Sequence, residues 1–147
     1  MSLFLVSGFG GYVLGKNYSN REKFYNELMI FCNMLIANIR FNKNKLNVIC
    51  EDYANSCSND MGEYIYNYLN NSMTDISFIS KYENKKIKDF FDGLGNFDSN
   101  SEIGYIENYK IYFNECYKKS VEENKKYGTL YSKLGLILGL VLVILFI

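Results

Sequence analysis

Few side chains of the sequence could take part in chemistry, and their spacing is poor for catalysis. The chain of 147 residues contains no histidine, which excludes Ser–His–Asp and Cys–His catalysis and histidine-ligated zinc. Its cysteines, Cys32, Cys50, Cys57 and Cys116, form no CxxC pair. We therefore expect neither a zinc site nor, in a cytoplasmic domain, a disulfide. Cys32 and Cys50 fall on apolar faces and are predicted to be small core residues.

The acidic residues do not form a catalytic or metal-binding pattern either. Two adjacent pairs, at 51–52 and 122–123, would point about 100° apart on a helix and cannot face each other. The segment FDSNSE, with Asp98, Ser99 and Glu102, lacks the residue order of a twelve-residue calcium loop. Ser99 and Glu102 instead fit the S-x-x-E capping box of a helix start. The sequence also lacks the motif of a phosphate-binding loop. It therefore predicts a non-enzymatic protein with no cofactor and no metal.

The placement of the charged residues is the most informative feature of the chain. Sixteen basic and sixteen acidic residues give a net charge of zero, and no basic stripe of the kind that binds nucleic acid is present. All charged residues lie between Lys16 and Lys133. Residues 1–15 and 134–147 carry no charged side chain at all. The chain is thus a charged middle between two apolar ends, and nucleic acid is not an expected partner.

The C-terminal end is predicted to be a transmembrane helix over residues 127–147. This stretch has one charged residue, Lys133, and its length matches the roughly 20 residues that a helical span requires. Lys133 can extend its ammonium group to the headgroups, and Tyr127 and Tyr131 suit the membrane interface. The alternative is a buried core helix, although apolarity on all sides favours a membrane.

The N-terminal end is predicted to be a shorter span over residues 1–18. Its basic residues, Lys16, Arg21 and Lys23, follow the apolar stretch, whereas in a signal peptide they precede it. An uncleaved anchor is therefore favoured over a signal peptide or an amphipathic docking segment. Both predicted spans have their basic residues on the side of the middle. The positive-inside rule then places residues 19–126 in the cytoplasm and both termini outside the cell membrane.

Two GxxxG pairs occur in the apolar ends. Gly11 and Gly15 form one pair, and Gly135 and Gly139 form the other. In an antiparallel hairpin, Gly15 and Gly135 would lie at the cytoplasmic end, with Gly11 and Gly139 one turn deeper. Since small residues let helices approach closely in lipid, we predict that the two spans pack through these glycines. The alternative is that glycine is simply common in membrane helices.

The middle is predicted to be an all-α bundle of about five or six helices between the two transmembrane helices. Apolar residues recur every three or four positions, as do Phe24, Leu28, Phe31, Leu35 and Ile39 on the predicted core side of one helix. No stretch alternates as a strand would. From Ser99 no proline or clear turn intervenes before Tyr127, so this helix is predicted to run into the C-terminal span. The other helices are expected at about 20–41, from 46, from 59 or 60, and at 83–94, with a weak one near 75–82 and a connector at 41–45.

The C-terminal half has a recognisable series of residues, and its spacing holds without gaps over residues 94–147. The series is Leu94, Gly95, Asp98, Ser101, Ile106, Tyr131, Leu134, Gly135 and Gly139, followed by the terminal apolar run. In this series the chain resembles the stage III sporulation protein AB family. The family usually has Glu at the positions of Ile36 and Asn38, and Pro-Leu where this chain has Lys45-Leu46.

The resemblance implies a membrane platform without chemistry of its own. The family belongs to the secretion-like channel complex that links mother cell and forespore, and its helical domain is similar to the F domains of type II secretion and type IV pilus platforms. The implied location is the mother-cell membrane around the forespore. The implied partners are a secretion-type ATPase and other membrane proteins of the complex, with formation of a homo-oligomer left open. The alternative is a generic membrane-anchored adaptor unrelated to sporulation.

Overall fold

The computed structural model is helical throughout its regular structure. It describes the backbone of residues 2–42 and 45–147, and the side chains of residues 13–41, 45–131 and 133–147. Within these residues no strand occurs, as predicted. One π-helical turn, Asn38–Asn42, follows the first helix and another, Asn124–Gly128, joins the last two. The α-helices are α1 (Ser2–Ala37), α2 (Leu46–Ser56), α3 (Asp60–Leu69), α4 (Lys81–Gly93), α5 (Ser99–Glu123) and α6 (Thr129–Phe146).

The elements agree with the sequence prediction except at two places. The apolar N-terminal segment and the amphipathic helix expected from about residue 20 form one helix, α1, since no proline interrupts them. The weak helix expected near 75–82 does not form, and α4 begins only after Ser80, whose hydroxyl accepts a hydrogen bond from Glu83 N–H at 3.3 Å. The connector predicted at 41–45 includes residues 43 and 44, which lie outside the described residues.

The contacts divide the chain into two units. The end unit comprises Met1–Lys23 together with Cys116–Ile147, and the middle unit comprises Phe24–Glu115. Each unit therefore contains part of α1 and part of α5.

Aromatic rings fill the core of the middle unit. The side chains of α1 predicted to face the core, Phe24, Leu28, Phe31 and Leu35, are all buried. Phe31 stacks on Phe91 of α4, with 5.8 Å between ring centroids. Further along the same core Phe90 meets Phe113 edge to face at 5.2 Å. Such pairs add to the stabilisation that burial of the rings provides.

The non-helical segment between α3 and α4 is held by one buried side chain. Asn84, at 6% exposure, donates from Nδ2 to the carbonyls of Ile76, Ile79 and Ser80 at 3.0, 2.9 and 3.1 Å. Its Oδ1 accepts from the backbone N–H of Ile76 at 2.8 Å. Because buried backbone groups need partners, this one amide replaces the hydrogen bonds that a helix would have supplied.

Candidate functional site

The most conspicuous surface of the structure is the apolar side of α6. Helical structure continues from Ser99 to Phe146. In the most apolar stretch of 18 residues within it, only 12% is buried in the protein. Leu136, Ile137 and Leu138 are each more than half exposed. A core helix would bury these side chains, so the alternative of a buried core helix is disfavoured.

By length and composition, one helix in the described part of the chain could cross a membrane, and it is the helix that ends at Phe146. The continuous helix from Ser99 into the apolar end was predicted from the sequence. No such helix is found in the described part of α1, and the N-terminal span over residues 1–18 stays a prediction.

Glycines of the end unit lie buried where the helices come close. Gly15, Gly135 and Gly139 are buried, and so is Gly128. A side chain at Gly128 would overlap Asn124, and its Cβ would lie 3.6 Å from the carbonyl oxygen of Gly15. The contact with Gly15 is thus of ordinary van der Waals length, and a side chain at position 128 would have to displace the Asn124 side chain. The burial of Gly11 lies outside the described residues, and the matching of Gly15 with Gly135 and of Gly11 with Gly139 stays a prediction.

In the end unit, aromatic rings of α1 and of the C-terminal helical segment contact each other near Lys16 and Lys133, the first and last charged residues. The ring of Tyr18 stacks on Tyr131, with centroids 6.0 Å apart and planes at 6°, and lies 6.0 Å from Tyr127. Tyr127 and Tyr131 were predicted to lie at a membrane interface, and no contact was predicted for their rings. In the structure both rings contact Tyr18 of α1.

About one helical turn farther from the apolar ends, polar side chains also connect α1 to the C-terminal helical segment. Arg21 forms an ion pair with Glu123, and Asn124 donates from Nδ2 to Glu22 Oε2 at 2.7 Å. The ion pair neutralises Arg21, one of the basic residues used to predict orientation. Lys16 and Lys23 lie on the same side of the N-terminal apolar stretch as Arg21, and the orientation stays a prediction.

The family-motif positions Leu94, Gly95 and Asp98 form the turn between α4 and α5. Leu94 is buried, at 6% exposure. Gly95 has φ +84°, a conformation that glycine adopts without strain. Its N–H donates to Glu102 Oε1 at 2.8 Å. The motif thus fixes how the chain leaves α4 and enters α5.

Helix α5 is capped by Asp98 and not by the predicted box of Ser99 and Glu102. Asp98 Oδ1 accepts from Ser101 N–H at 3.0 Å, and α5 begins at Ser99. The Glu102 carboxylate reaches past Ser99 to Gly95, because the left-handed turn at Gly95 points its N–H back to the helix. Hydrogen bonds from the hydroxyl and the N–H of Ser101 lower the pKa of the Asp98 carboxyl.

The cysteines show no arrangement for chemistry. Cys32, Cys50 and Cys116 are buried, whereas Cys57 is partly exposed. Burial raises the pKa of both Cys32 and Cys50 to about 12, so these thiols are unreactive in the folded protein. Among the described residues, no group of three or more His, Cys, Asp or Glu side chains could hold a metal ion.

The fold and this surface define a class of protein. It has a helical unit with an aromatic core, and a helix of that unit continues into an exposed apolar helix of membrane-spanning length. The family model for stage III sporulation protein AB matches residues 66–147, more than half of the chain, and the chain belongs to this family. The match confirms the resemblance drawn from Leu94, Gly95 and Asp98.

Because the chain belongs to this family, it is a sporulation-related protein. The family match therefore disfavours the alternative of a generic membrane-anchored adaptor unrelated to sporulation. The family is not a known enzyme family. Comparisons with curated proteins and with solved structures found no match.

Proposed function

We propose that this chain is a non-enzymatic membrane platform of the channel complex between mother cell and forespore. One observation carries the proposal. In a chain of the stage III sporulation protein AB family, the helix that starts in the middle unit at Ser99 continues into an exposed apolar helix that ends at Phe146. A helical domain with this extension is suited to hold cytoplasmic partners at a membrane.

The apolar helix α6 provides the anchor. Its backbone hydrogen bonds are made within the helix, as the lipid interior requires. Its exposed leucine and isoleucine side chains gain free energy on leaving water, at about 25 cal/mol for each Å² of apolar surface. Lys133, which is exposed near the start of α6, can reach the headgroups with its ammonium. In our proposal the middle unit then lies in the cytoplasm and both termini lie outside, with the N-terminal segment as a second anchor.

The middle unit acts through binding and not through catalysis. Its partners in our proposal are a secretion-type ATPase and other membrane proteins of the complex, and its place is the mother-cell membrane around the forespore. Because one helix leads from the partner-binding unit to the anchor, a force applied by the ATPase to the middle unit acts on a segment held in the membrane.

A complementation experiment tests the proposal in sporulating cells. A strain lacking the chain is expected to form far fewer heat-resistant spores, and the full chain is expected to restore them. A chain that stops before Thr129 should fail to restore them. As the matched control, a chain in which α6 is replaced by an unrelated apolar helix of 18 residues should restore spores if α6 acts as an anchor. Normal numbers of heat-resistant spores in the deletion strain would contradict the proposal.

A co-purification experiment tests the partner. The full chain, isolated with detergent from sporulating cells, is expected to bring the secretion-type ATPase with it. A chain carrying the unrelated apolar helix in place of α6 should do the same, because the ATPase is proposed to bind the middle unit. If neither form carries the ATPase, the platform role is wrong.

A further inference from the structure

The middle unit contains an apolar pocket that no part of the proposed anchoring uses. The cavity has a volume of about 150 Å³, the space of about five water molecules in the liquid. It is open to solvent on one side, and Phe97, half exposed, forms part of its wall. The rest of the wall is mostly aliphatic, from Leu35, Ile39, Leu46, Ile49, Leu94 and Ile106.

The one acidic side chain in the wall is Glu102. It is only 6% exposed. Its Oε1 accepts from Gly95 N–H at 2.8 Å, whereas its Oε2 is buried without a hydrogen-bond partner among the described residues. A buried carboxylate oxygen with no donor costs free energy. An occupant that brings a donor into the pocket would remove this cost.

The wall and the carboxylate together specify the chemistry of the occupant. An apolar stem fits the aliphatic wall, and a cationic donor at its tip fits the carboxylate. Since Oε1 is engaged with Gly95, one oxygen is left, so a compact ammonium matches better than a guanidinium, which binds both oxygens of a carboxylate. Oε2 has almost no exposed surface, so it meets an occupant only when the carboxylate turns about its terminal torsion, which is broad in glutamate, and both oxygens move in that turn.

We propose that this pocket binds a lysine side chain of a partner protein, with the four-carbon stem against the aliphatic wall and the ammonium on Glu102. The inference deepens the proposed platform role by naming the chemistry of a partner contact. Its first test uses purified protein and does not depend on spore formation, so the two proposals can fail separately.

The first test uses n-butylammonium, which reproduces a lysine side chain. The full chain in non-ionic detergent micelles is titrated while NMR follows the methyl groups of Leu46, Ile49 and Ile106. We expect saturable shifts in the native chain and about tenfold weaker binding in Glu102→Gln, which keeps an acceptor for Gly95 but loses the charge. The matched control Glu107→Gln alters an exposed acid of the same helix and should bind as the native chain does.

Two further measurements keep this test decisive if Glu102→Gln perturbs the fold. Leu46→Phe narrows the pocket with Glu102 intact and should also weaken n-butylammonium binding. n-Butanol, which has the same stem and a neutral hydroxyl donor, should lose far less affinity in Glu102→Gln than n-butylammonium does. Equal binding of n-butylammonium to the native chain and Glu102→Gln, or to the native chain and Leu46→Phe, would overturn the proposal.

The second test asks whether a protein supplies the ammonium. A water-soluble carbodiimide activates a carboxylate as an O-acylisourea, an amine in contact attacks the acyl carbon, and an isopeptide bond forms as the carbodiimide leaves as its urea. Applied to membranes of sporulating cells, it should link Glu102 to an identified lysine of another protein, as read by peptide sequencing, and Glu102→Gln should abolish the link. If n-butylammonium binds but Glu102 forms no such link, the protein occupant is wrong.

Discussion

Single polar residues fix the segments of the middle unit that are not helical. Asn84 is the clearest case, because one amide satisfies three carbonyls and one N–H. Glu102 and Asp98 accept the backbone N–H groups of Gly95 and Ser101 at the turn before α5. The contacts of Asn84 and Glu102 reach residues up to eight positions away and depend on the folded turn, whereas the cap at Asp98 follows the local rule for helix starts.

Replacing Asn84 by alanine is expected to lower the free energy of unfolding by about 2–3 kcal/mol, because buried carbonyls are left without donors. The matched control is Asn96→Ala, whose Nδ2 donates to one exposed carbonyl, that of Asp92. The control should change the free energy by less than about 0.5 kcal/mol. Urea unfolding of the full chain in micelles, followed by circular dichroism, measures both. Similar losses in the two variants would contradict the role of Asn84.

The cap of α5 should titrate at an acidic pH. Hydrogen bonds from the hydroxyl and N–H of Ser101 lower the pKa of Asp98 in the folded chain, so folding favours the ionised form. The stabilisation by the ionised cap is then present above the unfolded pKa of about 3.9 and is lost as the pH falls through the lower folded pKa.

The carboxyl carbon shift of Asp98, followed by NMR as the pH falls, should have its midpoint below about 3.9. Asp98→Asn keeps a capping oxygen and should remove this part of the pH dependence of unfolding. A midpoint at or above the usual value would show that the cap is not formed.

At the scale of elements, two helical glycines should respond in opposite ways to the same substitution. A Cβ at Gly62 in α3 would overlap the backbone carbonyl of Cys57, whereas a Cβ at Gly104 in α5 meets no atom within 4 Å. Gly104→Ala is expected to stabilise the chain by up to about 1 kcal/mol, through helix propensity. Gly62→Ala should destabilise it, since the backbone at Cys57 must move. Thermal unfolding measures both, and a gain in stability from Gly62→Ala would contradict the packing of α3.

The helices themselves could largely be predicted from the sequence, because apolar spacing decides which side faces a core. Phe24, Leu28, Phe31 and Leu35 were identified this way, and all are buried. The continuity of α1 between the apolar N-terminal segment and the helix expected from about residue 20 could not be predicted, since polar residues without proline permit a helix as well as a break. The cap of α5 was also missed, because the choice between Ser99 and Asp98 depends on the left-handed turn at Gly95, which the S-x-x-E pattern does not contain.

At the scale of the whole molecule, the end unit links the two apolar ends. The sequence predicted that glycines would mediate this link. It did not reveal the contact of Tyr18 with Tyr131, because these residues are far apart in the sequence. The pocket at Glu102 was missed for the same reason, since its wall comes from α1, α2, α5, the π-helical turn after α1 and the turn before α5. Charge distribution and apolar length are local properties, which is why the apolar C-terminal helix could be predicted from the sequence.

A charge in the middle of α6 should weaken membrane insertion. Leu138 is 57% exposed, and on the insertion scale a lysine at the centre of a span costs about 2.5–3.5 kcal/mol. Leu138→Lys is therefore expected to increase the fraction of chain released by an alkaline wash. The matched control is Leu130→Lys, at the first turn of α6 and 46% exposed, where the ammonium can reach the headgroups. Equal release of the native chain and Leu138→Lys would indicate that α6 lies outside the membrane.

The proposed topology is most directly tested by labelling thiols with a membrane-impermeant maleimide in vegetative cells of a spore-forming host. Cys57 is the partly exposed native thiol, whereas Cys32, Cys50 and Cys116 are buried. Ile147→Cys, combined with Cys57→Ser, places a thiol at a fully exposed position after α6. If the middle unit is cytoplasmic and the C-terminus lies outside, we expect Cys57 to react only after the cells are permeabilised. We expect the thiol at position 147 to react in intact cells. Reaction of Cys57 in intact cells, or protection of position 147 there, would contradict a membrane platform with a cytoplasmic middle unit.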